Sequence, residues 1–206
     1  MGLAGATWIS TRVDLPYGIH MVVAVIVALI CAALWGAVVG LLKARTGAHE
    51  VIVTIMLNYV ALNFFTWLLR TPELLLEANG GGTPKSDPPA DTAMLPTLFG
   101  DMYKIHIGIF FAVAAAFIYW LLMDRSAIGY RFKMVGHNMS AARAAGIKVE
   151  STFIWAMAVS AAFAGLAAAN QGLSETGGIT TSINANIGFD AITVALLGGN
   201  SAKGIF

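Results

Sequence analysis

The sequence predicts an all-α fold, a polytopic bundle of transmembrane helices with four full spans and a partial or re-entrant fifth. Three observations carry this. The chain is 58% hydrophobic and only 11% charged, with a mean hydropathy of +0.76, whereas soluble domains carry about 25% charged residues. Four apolar runs are each close to the about 20 residues that cross a bilayer, and none contains Asp, Glu, Lys or Arg. Seven of the twelve Lys and Arg residues fall in two of the connecting segments.

In chain order the spans are 19–42, 51–69, 105–123 and 152–169. The stretch before them holds Arg12 and Asp14, and the following run is too long for a signal-peptide core. A fifth apolar piece, 187–197, is half a span long and is read as a half-helix or a re-entrant segment. Orientation follows from the basic residues. Lys43 and Arg45 follow the first span, and Arg125, Arg131, Lys133, Arg143 and Lys148 follow the third. Segments 43–50 and 124–150 are therefore expected in the cytoplasm, with the N-terminal stretch, the loop 70–104 and 171–190 outside. The outer loop contains NGGGTPKSDPP at 79–89. That density of Gly and Pro disfavours helix and strand, so it reads as a mobile connector, with a surface for an external partner as the alternative.

The segment 129–148, GYRFKMVGHNMSAARAAGIK, carries most of the functional information. Asn138 is placed to cap a short helix by accepting from the free N–H groups of its first turn. The helix is expected over 139–145, with Gly146 supplying the left-handed residue that ends it. At about 10 Å it is too short to stand alone in water, so it needs a surface; an ordinary turn between helices is the alternative reading. Ala141, Ala142, Ala144 and Ala145 permit close approach, and Arg143 gives a charged handle.

Polar residues inside spans mark interhelical hydrogen bonds or a solvated path. Thr54, Asn58, Asn63 and Thr66 in the second span are the candidate pathway residues, Asn58 first among them. Thr54 and Asn58 share a face, and Asn63 lies well round the helix. Asn170, Gln171, Ser174, Glu175 and Thr176 form a further polar cluster at the outer end of the fourth span, read as a solvated helix end or a point of contact with substrate. His49–Leu57 aligns with Phe189–Leu197, with an acid, Glu50 or Asp190, at the second position of each. Acids at a helix start favour the dipole, and the opposed directions of the two segments also suit an inverted repeat. Close packing is expected from Gly36 and Gly40 and from the Ala/Gly-rich fourth span.

Several functions are disfavoured. A net charge of +1 gives no electrostatic case for nucleic acid. The single cysteine, Cys31, lies in an apolar run, so neither an intramolecular disulfide nor a Cys-based metal site is expected. His20, His49, His106 and His137 each fall near a span end, where they read as interfacial residues, and no HExxH is present. No metal and no catalytic residue is expected. The sequence GGNSAKG at 198–204 fails the phosphate-loop pattern, with Ala202 where Gly is needed and Gly204 where Ser or Thr is needed. ATP hydrolysis, if it drives this protein, belongs to another chain.

The pattern Gly129…Gly136-His137-Asn138…Ala141-Ala142…Ala145-Gly146-Ile147 resembles the cytoplasmic coupling loop of ABC importer permeases of the branched-chain amino acid, ribose and nucleoside superfamily. LLKARTGAHEVIVTIMLNYVA at 41–61 is similar to a signature of the nucleoside and simple-sugar branch, and GFDAITVALLGGNSAKG at 188–204 to a later segment of the same permeases. The resemblance covers nearly the whole chain in the right order. It implies a single permease domain over 1–206, incomplete at both ends, in the bacterial cytoplasmic (inner) membrane. It also implies a second permease subunit, homo- or heterodimeric, an extracytoplasmic substrate-binding protein, and a cytoplasmic ATPase that holds the ATP and Mg. The coupling residues it implies are Asn138, Ser140, Ala141, Ala142, Arg143, Ala145 and Gly146. A channel or secondary transporter without an ATPase, and a non-functional truncated permease, are the alternatives.

Overall fold

The computed structural model describes residues 1–13, 15–47, 49–71, 74–75, 84–96, 106–174, 178–180 and 187–199. Their regular elements are helices, namely α1 (Gly2–Arg12), α2 (Ile19–Thr46), α3 (Glu50–Arg70), α4 (Gly108–Arg125), α5 (Ala127–His137), α6 (Met139–Ala144), α7 (Val149–Ser174) and α8 (Ile187–Leu197). The helices α2, α3, α4 and α7 are long and apolar enough to cross a membrane. All four expected spans are present, each within three residues at its start and five at its end, and the half-span is the helix α8.

The scaffold is the antiparallel pair α2–α7. Lipid tails are as apolar as leucine, so helices in a bilayer associate through close packing rather than by escape from water. On α2 a small residue recurs every fourth position, Ala24, Ala28, Ala32, Gly36 and Gly40, and all five are buried. They lie against the backbone of α7. A Cβ on Gly36 would stand 2.6 Å from Met157 O, and one on Gly40 2.6 Å from Ile154 Cα. Gly165 of α7 returns the contact, with its Cβ position 2.6 Å from the Ala32 methyl and 2.8 Å from Ala28 O.

The N-terminal stretch is a helix packed into this pair rather than an outer tail. Gly2 touches Ala28 and Gly165, Gly5 touches Cys31, and Leu3, Ala6 and Ile9 are buried. The α1 helix therefore runs antiparallel to α2 along its first half. Its small residues Gly2, Ala4, Gly5 and Ala6 allow the approach, by the same logic as the α2 stripe.

The two ends of the bundle differ. One end carries α5, α6, the close of α2 and the start of α7, with Lys43 set over the Phe153 ring at 4.7 Å. This brings the two basic segments together, as their shared charge predicts. The other end carries residues 84–96, which contradict the mobile-connector reading. Ser86 and Ala93 are fully buried and Leu95 nearly so, and Leu95 N donates to Leu173 O at 3.1 Å. Residues 79–83 of that motif lie outside the described residues.

The helices α3, α4 and α8 are far more exposed. The α3 helix joins the bundle near its C-terminal end, where Phe65 and Leu69 pack with Leu3, Ala4 and Ile179. No residue of α8 is buried.

Candidate coupling element and pathway residues

Ser126 ends α4 and starts α5. Its backbone is extended, its Oγ accepts from Gly129 N at 3.1 Å, and its hydroxyl donates back to Leu122 O. Gly129 makes the corner possible, because a Cβ there would meet the Leu122 carbonyl and stand 2.6 Å from Met123 Cα. The basic segment thus forms two helices, α5 and α6, where the sequence pointed to one.

The caps of α6 are those the sequence predicts. Asn138 has φ −156° and ψ 107°, and its Oδ1 accepts from Ser140 N and Ala141 N, both at 3.0 Å. At the other end Ile147 N donates to Ala142 O and Gly146 N to Arg143 O, each at 3.0 Å, while Gly146 holds φ +80°. This is the Schellman arrangement, which satisfies carbonyls left free at a helix end. The apolar contact that accompanies it is also present, since Ile147 packs on the cluster of Val135, Ala142 and Val149.

The surface α6 needs is therefore supplied by its own chain. Ala142 is fully buried against α5 and α7, whereas Met139, Ser140, Ala141, Arg143, Ala144, Ala145 and Gly146 are exposed. Of the expected coupling residues, Ala142 seats the helix and the others present its outer face. Arg143 Nη2 meets Glu150 Oε1 at 2.8 Å, and Lys133 Nζ meets Asp124 Oδ1 at 2.7 Å. Both pairs are solvent-exposed, so they orient side chains and contribute little to stability.

On α3 the four candidate pathway residues separate. Asn58 lies seven residues before Phe65 and eleven before Leu69, and both intervals are close to whole turns. Thr54 lies eleven before Phe65. Thr54 and Asn58 thus share the face that joins the bundle, while Asn63 lies about 200° round from Phe65 and Thr66 about 100°. Thr54, Asn63 and Thr66 bond to their own helix, at Val51 O (2.9 Å), Tyr59 O (2.8 Å) and Leu62 O (2.8 Å). Among the described residues the Asn58 side chain makes no hydrogen bond, and it is exposed.

In the polar cluster at the end of α7, Asn170 Oδ1 is buried without a hydrogen-bond partner, against the glycine face of Gly108. Ser174 Oγ donates to Gln171 O at 3.1 Å. Glu175 and Thr176 lie outside the described residues, as do the Glu50 side chain and residues 200–204 of GGNSAKG. Asp190 lies in the first turn of α8. His20 corrects the interfacial reading, being wholly buried with both ring nitrogens engaged, Nδ1 with Thr92 Oγ1 at 2.7 Å and Nε2 with Ile9 O at 3.0 Å. Sequence reasoning missed this, because the Thr92 contact spans 72 residues and no local pattern announces it.

The family described as branched-chain amino acid transport system / permease component matches residues 1–206. The chain belongs to this family. It is 38% identical to the guanosine ABC transporter permease protein NupP of Bacillus subtilis, over all of this chain and 59% of that protein. It is 33% identical to the nucleoside ABC transporter permease protein NupB of Lactococcus lactis, over 99% of this chain and 59% of the relative. With the glucose ABC transporter permease protein TsgB13 of Haloferax volcanii the identity is 29%, over 98% of this chain and 55% of the relative. This permease-family chain thus spans somewhat over half the length of these relatives. No solved structure matches it at a significant level.

Proposed function

We propose that this chain forms part of the membrane permease of an ATP-driven importer for a nucleoside, with a simple sugar as the second substrate class. The observation that carries this is α6, a six-residue helix capped at both ends, seated by Ala142, and presenting a small, exposed face. Its exposed outer face, with small side chains around Arg143, suits docking on a soluble partner. The substrate class is supported by the relatives, in which guanosine and nucleoside permeases are more similar than the glucose permease. The segments 43–50 and 124–150 lie in the cytoplasm on this reading. There α6 docks on an ATPase subunit that holds ATP and Mg, a second permease subunit completes the pore, and residues 84–96 face an external binding protein. Thr54 and Asn58 line the path, since they share the face of α3 that joins the bundle and Asn58 keeps its amide unspent.

Capture of the ATPase from a neighbouring gene, in mild detergent, tests the coupling role. Ala145→Glu changes only the exposed C-cap residue of α6 and should abolish capture while the permease still inserts and purifies. Ala142→Glu is the wrong probe for docking, because it places a carboxylate inside the Val135–Val149 cluster and unseats the helix itself. Equal capture by wild type and Ala145→Glu would remove α6 from the interface. Uptake of labelled guanosine against labelled glucose by the complete transporter then separates the two substrate classes.

A further inference from the structure

Residues 84–96 are held by bonds to elements far away in sequence. Ala90 N donates to Ser10 O at 2.9 Å, Leu95 N to Leu173 O at 3.1 Å, and Ile107 N to Pro96 O at 3.2 Å. Ser86 exchanges two bonds with Ile179, its N–H donating to Ile179 O at 3.0 Å and its Oγ accepting from Ile179 N at 2.9 Å. Gly178 lies so close over Ser86 O that a Cβ would collide with it. Thr92 is tied to His20 of α2. The Ile9 carbonyl can only accept, so Nε2 donates to it. The segment is a strap across one end of the bundle, joined to α1, α2, α7 and the entry to α4.

The same α7 that carries the strap also carries α6. It is a continuous helix of 26 residues without proline, about 39 Å long. Its first turn packs Val149 on Ala142 and pairs Glu150 with Arg143. Its last turn accepts the Leu95 N–H and buries Leu173 beside Ala93 and Leu95. Stretching such a helix would break its backbone bonds, so a displacement at one end is delivered to the other as a shift or tilt.

We propose that the strap 84–96 is the outer gate of this permease and that α7 is the rod by which α6 works it. The inference rests on the permease reading above. ATP-driven movement of the docked ATPase shifts α6 and the start of α7, and the far end of α7 then leaves Leu95, freeing the strap to part from 178–180 and admit substrate. The strap is suited to this because its fastenings are single hydrogen bonds and small apolar contacts, each weak alone.

Lys85 and Thr180 form an antiparallel bridge flanked by the Ser86 N to Ile179 O bond. They are therefore the close, non-hydrogen-bonded pair, with Cα atoms about 4.5 Å apart, within disulfide range. The test places Lys85→Cys and Thr180→Cys in a Cys31→Ala background of the complete transporter, reconstituted with its ATPase and binding protein. Oxidation should lower import by at least about tenfold, as expected of a locked gate, with recovery on reduction and ATPase capture unchanged. The rate of disulfide formation should also fall while ATP is being turned over, and Ala145→Glu should remove that dependence. Undiminished import by fully crosslinked protein, shown by thiol counting, or a crosslinking rate indifferent to ATP, would overturn the gate while leaving the permease reading intact. Failure of the uncrosslinked transporter to capture any ATPase would overturn both.

Discussion

Ala142 and Ala145 are the same residue type three positions apart, and one is wholly buried while the other is exposed. Helix geometry alone allowed that some face of α6 would be covered. Which face is covered depends on where Val135 and Val149 stand. His20 makes the same point for a titratable group. Its ring is satisfied by Ile9 O and Thr92 Oγ1 at once, and no water competes for it at zero exposure. His20→Ala leaves a buried carbonyl and a hydroxyl without their partner, which costs about 1–3 kcal/mol. Thermal unfolding of the purified protein in detergent should show the loss, and an unchanged midpoint would mean the ring bears no load. Asn138 and Gly146 are the contrasting case. Their roles were legible from the sequence, because a cap is made with the residue's own neighbours.

Among the elements, the four spans and α8 could be read directly, since each is a run of apolar residues bounded by charge or glycine. The helix α1 could not. It is short, ends in Arg12, and owes its helix to packing on α2 and α7. A usable signal was present in Gly2, Ala4, Gly5 and Ala6, which are too small for a helix that faces lipid. The stripe on α2 was only half seen as Gly36 and Gly40, and it continues back through Ala32, Ala28 and Ala24. This pair of helices also makes the sharpest element-level prediction. Gly36→Val puts a branched side chain where even a Cβ meets Met157 O at 2.6 Å. Overpacking of that kind costs about 1–3 kcal/mol or more, and backbone on the far side cannot yield as a side chain could. Gly36→Val should reduce the monodisperse fraction in size-exclusion chromatography, whereas Gly136→Val, where a Cβ would meet nothing, should not.

Across the whole molecule, the even charge balance of the chain hides a strong asymmetry. The basic segments meet at one end of the bundle and the strap closes the other, with α2 and α7 joining them. The path proposed along α3 belongs to this scale, because it depends on which side of that helix faces the bundle. Thr54 and Asn58 share the face of Phe65 and Leu69, and Asn63 faces away. In the complete transporter, with Cys31 replaced, Asn58→Cys should react with a water-soluble thiol reagent and Asn63→Cys should resist it. Equal labelling of both would show that α3 does not divide path from surroundings.

The sequence by itself determined the membrane class, the order and number of the spans, the short capped helix and the family, since these follow from composition, local periodicity and motifs read along the chain. Tertiary structure alone decided that 84–96 is a strap, that His20 is its anchor, that α1 belongs to the core, and that Ala142 looks inward. Each of these rests on partners distant in the chain, as far as the 93 residues between Ser86 and Ile179, and such partners leave no periodic trace in the sequence that contains them.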